Sequence, residues 1–138
     1  MEKLWPCKGT VFSLGHSSRS IDEFITLLKE NRIGLVADVR RFPGSRKYPW
    51  FSRQSLESFL NERGIGYIWL GESLGGFRKG GYEAHTKTAE FKEGIDRLEE
   101  LAAASRVAFM CAEGPEARCH RRYIARELEA RGWEVRRI

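Results

Sequence analysis

Short, continuous apolar runs alternate with longer segments of helical period along this chain, and that alternation restricts its fold more than any other feature. Val11–Leu14, Leu35–Val39, Tyr67–Leu70 and Val107–Cys111 read as buried strands, and Glu134–Arg137 as a short edge strand. Ser20 and Glu23 form a capping-box signature that opens a helix carrying Phe24, Ile25 and Leu28, and Asn31-Arg32 closes it. Ser52 is a good N-cap for a second helix through Arg63, stopped at Gly64. Phe91, Ile95, Leu98, Leu101 and Ala102 mark a third, and Cys119–Arg131, ended by Gly132, a fourth. Arg40–Phe51, broken by Pro43, Gly44 and Pro49, is expected to be irregular. The glycine-rich run Gly71–Tyr82 is expected to be either a flexible lid or a close backbone approach to a ligand.

Parallel neighbours need crossover connections, and right-handed crossovers put helices on both faces of the sheet. The expectation is therefore one α/β domain over residues 1–138, a three-layer Rossmann-like fold with a mostly parallel five-stranded sheet. Ligands of such sheets bind beyond the carboxyl ends of the strands. Here those exits carry Gly15-His16-Ser17, Asp38-Val39-Arg40 and Cys111-Ala112-Glu113, while Trp69, Leu70 and Glu72 finish the third strand. His16, Asp38, Arg40, Cys111 and Glu113 should share one pocket, with His120 and Arg121 on its rim.

At 138 residues and 41% hydrophobic content the chain can fill one core without metal or disulfide staples. Cys7, Cys111 and Cys119 are an odd, irregularly spaced set, which points to reduced thiols, and no apolar run is long enough for a membrane span. A cytoplasmic protein is expected. Net charge is +5, modestly favouring a polyanionic partner. One segment concentrates that charge. Arg40–Arg53 holds Arg40, Arg41, Arg46, Lys47 and Arg53 with Phe42, Tyr48, Trp50 and Phe51 and no acid, the composition of a surface that neutralises phosphates and stacks on bases.

Each candidate residue has a functional and a structural reading. Asp38 ends a buried strand, as a reacting carboxylate or as one member of an ion pair with Arg40 or Arg46. His16, ahead of a helix, can move protons or simply satisfy a loop carbonyl, and Ser17 beside it can help hold an anion. Cys111 is a nucleophile favoured by Arg118, Arg121 or Arg122, or a small buried cysteine; Pro115 and the acids Glu113 and Glu116 make its loop a poor anion cradle. Glu113 is a general base, or an acid favoured by a helix N-terminus. His120, Arg121 and Arg122 at the start of the last helix can grip a phosphate, and Cys119 beside them and Arg78 in the glycine-rich run are further substrate-binding candidates. A zinc site on Cys111, Cys119, His120 and His16 has the wrong spacing, since adjacent helical ligands diverge. No metal or other cofactor is expected.

The motifs GHS at 15–17, DVRRFPGSR at 38–46, LGG at 74–76, MCAE from 110 and CHRR ending at 122 resemble the domain-of-unknown-function 488 family, in order and across nearly the whole chain. That resemblance implies a shared fold and a shared site. A weaker likeness to rhodanese domains lies in the strand ending DVR and in the strand that leads to a cysteine, a loop and a helix. The leading expectation is an enzyme acting on a nucleic acid or nucleotide, hydrolytic and in its most specific form N-glycosidic. Asp38 and Glu113 would supply the carboxylates, with Arg40, Arg46, Lys47, Trp50 and Phe51 as phosphate and base anchors. The alternatives are a cysteine-dependent sulfurtransferase or phosphatase-like enzyme centred on Cys111, and a non-catalytic nucleic-acid-binding module. A phosphate-containing small molecule is the other candidate partner, and no membrane is expected to be one.

Overall fold

The computed structural model describes residues 8–113 and 119–138. Strands β1 (Thr10–Gly15), β2 (Leu35–Asp38), β3 (Gly66–Trp69), β4 (Val107–Cys111) and β5 (Glu134–Arg137) form one sheet in the order β3-β2-β4-β1-β5. Every pairing is parallel. Helices α1 (Ile21–Glu30) and α2 (Arg53–Glu62) cover one face, and α5 (Ala89–Ala104) and α6 (Arg121–Ala130) the other. The fold is thus α/β and three-layered, as the alternation predicts. Among the described residues no helix is long and apolar enough to cross a membrane.

Side chains alternate between the faces at the strand period of two. Phe12, Leu14, Val36, Ala108 and Met110 meet Phe24, Leu28, Leu56 and Leu60 of α1 and α2. Val11, Ala37, Val107, Phe109 and Cys111 meet Ile95, Leu98, Ile124 and Leu128 of α5 and α6. Burying both faces explains why the strands read as unbroken apolar runs. The Ser20–Glu23 capping box closes in both directions, Glu23 N–H onto Ser20 Oγ at 3.1 Å and Ser20 N–H onto Glu23 Oε1 at 2.8 Å.

Three local expectations need correction. Pro49–Phe51 is a 3-10 turn inside the stretch expected to be irregular, because Pro49 supplies the starting φ and Phe51 is drawn into the core. Ser52 stands at the N-cap of α2, but its hydroxyl accepts from Ser45 N–H at 3.4 Å instead of capping the helix. The glycine-rich run is not a loop throughout: β3 stops at Trp69 and Gly71–Leu74 forms a short helix, α3, while Tyr82–His85 forms α4. Gly71 and Gly75 make room for the protein's own backbone. A Cβ at Gly71 would stand 1.9 Å from Arg40 O, and one at Gly75 2.6 Å from Arg41 Cα.

Candidate functional site

β4 lies between β1 and β2, so the strand order reverses around it. The helices after β1 and β2 pack on one face and the helix after β4 on the other. That divergence opens a crevice at the carboxyl edge, the usual ligand position of an open α/β sheet. The exits of β1 and β4 are tied together, His16 N–H to Cys111 O at 2.9 Å and Ser17 N–H to Ala112 O at 3.0 Å. A cavity of about 990 Å³ opens there. His16, Ser17, Arg40, Arg46, Lys47, Cys111, Glu113, Cys119 and His120 line it, together with Phe42, Tyr48, Phe77 and Tyr82.

Asp38 does not reach the cavity wall. Its parity sends it to the α1/α2 face, where the side chain is 0% exposed. Oδ1 accepts from Arg40 N–H (3.1 Å) and Nε (2.8 Å), and Oδ2 from Arg40 Nη2 (2.7 Å) and the Tyr67 hydroxyl. Arg40 Nη1 continues to Phe51 O at 2.7 Å. This is a bidentate, fully satisfied buried pair, and the counter-charge is Arg40, not Arg46. Burial and the Asp38 carboxylate together push the Tyr67 phenol far above its ordinary range, so it stays a donor.

His16 stacks on buried Phe51, ring centroids 4.2 Å apart, and its Nδ1 lies 2.9 Å from Ser17 O. Burial lowers its pKa to about 4, with the Arg40 charge adding to the effect. At neutral pH the ring is therefore uncharged, Nδ1 donating to the carbonyl and Nε2 keeping its lone pair.

On the α5/α6 face the polar groups gather around sulfur. Cys111 and Cys119 are reduced and buried, and Cys111 Sγ lies 3.7 Å from Glu113 O. Arg121, 1% exposed, donates from Nε to Cys111 Sγ (3.0 Å), from Nη1 to Ser13 Oγ (2.9 Å) and from Nη2 to Glu113 O (2.9 Å), and its backbone N–H points to Cys119 Sγ at 3.5 Å. His120 donates Nε2–H to Val39 O at 2.8 Å, which turns Nδ1 toward Cys119 Sγ at 3.5 Å. The hydrogen bond from Cys111 and the nearby His120 hold Cys119 far below the usual thiol range. The same shared proton, with burial, drives Cys111 upward. The ionised sulfur of the pair is Cys119.

Other candidate residues are structural anchors. Trp50 donates Nε1–H to Arg19 O at 3.0 Å, and Phe51 is enclosed in the core. Arg78 holds the turn after α3, donating to the carbonyls of Gly75, Gly71 and Glu72 and pairing with Glu90. Arg46 and Lys47 are exposed on the cavity rim. Glu113 is exposed and is the one carboxylate lining the cavity among the described residues. Cys7, Pro115, Glu116 and Arg118 lie outside the described residues. Among the described residues no three His, Cys, Asp or Glu side chains converge to hold a metal ion.

Sequence reasoning misses Phe42 and Phe77 as a pair, Tyr82, and the buried hydroxyl of Ser13 that holds Arg121. Phe42 is 67% and Phe77 85% exposed, with ring centroids 5.9 Å apart at the cavity mouth. The signal for Phe77 is an aromatic among loop glycines; nothing local links it to Phe42, 35 positions earlier in the chain. No curated protein and no solved structure matches the chain. A family model described as "Domain of unknown function DUF488" matches residues 20–128, which takes in β2, β3, β4 and every cavity-lining residue after Ser18, and the chain belongs to that family.

Proposed function

We propose that this chain is an enzyme acting on a nucleic acid or nucleotide, with hydrolytic and most specifically N-glycosidic chemistry. The observation that carries the reading is the cavity mouth. The two large hydrophobic side chains exposed among the described residues, Phe42 and Phe77, meet there, beside Arg41, Arg46 and Lys47. Exposed aromatics at a basic rim suit a base stacked between rings and a phosphate held by cations. Phe77 holds its position with φ +58°, a left-handed conformation that costs a residue with a Cβ about 1–2 kcal/mol.

Glu113 is the reacting carboxylate in this reading, stabilising positive charge on the sugar as the glycosidic bond lengthens. Asp38, spent on Arg40 and Tyr67, is not its partner. Neutral His16, with a free Nε2 lone pair, takes over as the group that receives a proton from water. Oligonucleotides with alkylated or deaminated bases, single- and double-stranded, should yield alkali-labile abasic sites. Glu113→Gln should lower that turnover on the order of 100-fold while the protein folds normally. Absence of both base release and salt-sensitive oligonucleotide binding overturns the reading.

A second reading has its own support in the depressed Cys119 thiol beside His120. Thiol-dependent group transfer, phosphatase-like or sulfur-transferring, would then use Cys119 as nucleophile in place of Cys111. Loss of turnover in Cys119→Ser with near wild-type turnover in Glu113→Gln selects it.

A further inference from the structure

We propose that Cys119 and Cys111 form a peroxide-reactive dithiol that closes to a disulfide at the floor of the cavity. One arginine binds both sulfurs, through its backbone to Cys119 (3.5 Å) and through Nε to Cys111 (3.0 Å), and both residues line the cavity. Packing alone has no use for such wiring, since a buried sulfur in a core behaves as a small hydrophobe. A redox step needs two sulfurs within bonding reach, one ionised and one able to resolve, and a small reagent needs a path to them.

The chemistry closes on the groups present plus one co-reactant, a hydroperoxide such as hydrogen peroxide. His120 stands beside the reacting sulfur, Nε2 being fixed on Val39 O and Nδ1 facing Cys119 Sγ at 3.5 Å. The Cys119 thiolate attacks a peroxide oxygen and the O–O bond breaks. Sulfur is oxidised to sulfenic acid, and the departing hydroxide takes up from solvent the proton that Cys119 lost on ionising and leaves as water. The Cys111 sulfur then attacks Cys119 sulfur, its proton goes to the sulfenic hydroxyl, and a second water departs as the S–S bond forms. Two thiols and one hydrogen peroxide give one disulfide and two waters. This step requires neither Glu113 nor a nucleic acid, so it stands apart from the nucleic-acid chemistry proposed above.

The test uses the full chain with Cys7→Ser, so that only the two cavity thiols respond, reduced and then exposed to hydrogen peroxide near stoichiometry. Intact mass should fall by about 2 Da, reversibly with dithiothreitol, and peptide mapping should join Cys111 to Cys119. Cys119→Ser should slow peroxide consumption on the order of 100-fold. Cys111→Ser should stop at a Cys119 sulfenic acid that dimedone traps. Sulfinic acid at Cys119 without cross-linking, two thiols that persist under excess peroxide, or sulfenic acid forming first on Cys111 overturns the proposal. Should a serine variant fail to fold, the linkage map of the parent protein alone decides.

Discussion

On one face of the sheet Asp38 is enclosed and accepts from Arg40 and Tyr67 at both oxygens. On the other face, at the end of the adjacent strand, Cys111 and Cys119 meet Arg121 at a floor that opens into the cavity. Both sets of polar groups leave the carboxyl edge of parallel strands, and both contain a buried arginine. They differ in what is left over. The Asp38 carboxylate has its lone pairs filled and no access to the cavity, so it holds Arg40 and the following loop in place. The sulfur cluster keeps an ionised thiolate at the cavity wall. An ionisable residue at a strand exit thus becomes a clamp or a reactive group according to how completely its neighbours satisfy it.

The largest expected effect breaks the clamp. Asp38→Ala leaves a buried guanidinium without its carboxylate, and urea unfolding should show a destabilisation of about 3–5 kcal/mol. A change below about 1 kcal/mol would show that the pair is not structural and would collapse the contrast between the faces.

His16, on the clamp side, gives a pH signature. Its folded pKa of about 4 lies below the ordinary 6.5, so between those values the unfolded chain binds more protons. The stability this neutral, buried ring represents is complete above pH 6.5, declines as pH falls toward 4 and is lost below it. Its full size is at most about 3 kcal/mol. Unfolding midpoints of the wild type and His16→Gln, compared from pH 7.5 to 4, should converge as the pH drops. Parallel curves would mean that the ring is not held neutral by burial.

The open side sharpens the comparison through binding. Phe42→Ala or Phe77→Ala should each weaken single-stranded oligonucleotide affinity by about 1–3 kcal/mol while leaving the unfolding midpoint unchanged. Arg46→Ala with Lys47→Ala should flatten the log–log salt dependence by about 0.7–0.9 for each phosphate that is no longer neutralised. The smallest effect belongs to the thiolate as a packing element. Cys119→Ser keeps the size and can still accept from Arg121 N–H, so its stability should remain within about 1 kcal/mol of wild type. A fall as large as that of Asp38→Ala would make Cys119 a second clamp.

Much of this arrangement is written locally. The capping box at Ser20 and Glu23, the stop at Asn31 and the apolar runs ending at Asp38 and Cys111 depend on neighbours a few residues away, so chain order suffices to read them. The pairing of Phe42 with Phe77 is not legible in that way, because only packing of α3 against Arg40 and Arg41 brings the two loops together, through Gly71 and Gly75. Local pattern does not show that the surroundings lower Cys119 and raise Cys111, for a similar reason. Cys111 occupies the strand end that such a pattern favours, yet the proton goes where the sum of His120, Arg121 N–H and the partner thiol puts it.

By itself the sequence determined the five strands, the four long helices and the gathering of His16, Arg40, Cys111 and Glu113 at one edge, because hydrophobic period is local and parallel connection has one preferred hand. Only tertiary structure inserted β4 between β1 and β2 and so opened the crevice. It also determined the fate of Asp38. Tyr67 lies on β3, two residues before the partner of Asp38 and on the same face, so the carboxylate is saturated only when those two strands pair in this register. Whether a buried charge is satisfied depends on groups far away in the chain, and no periodicity encodes that sum.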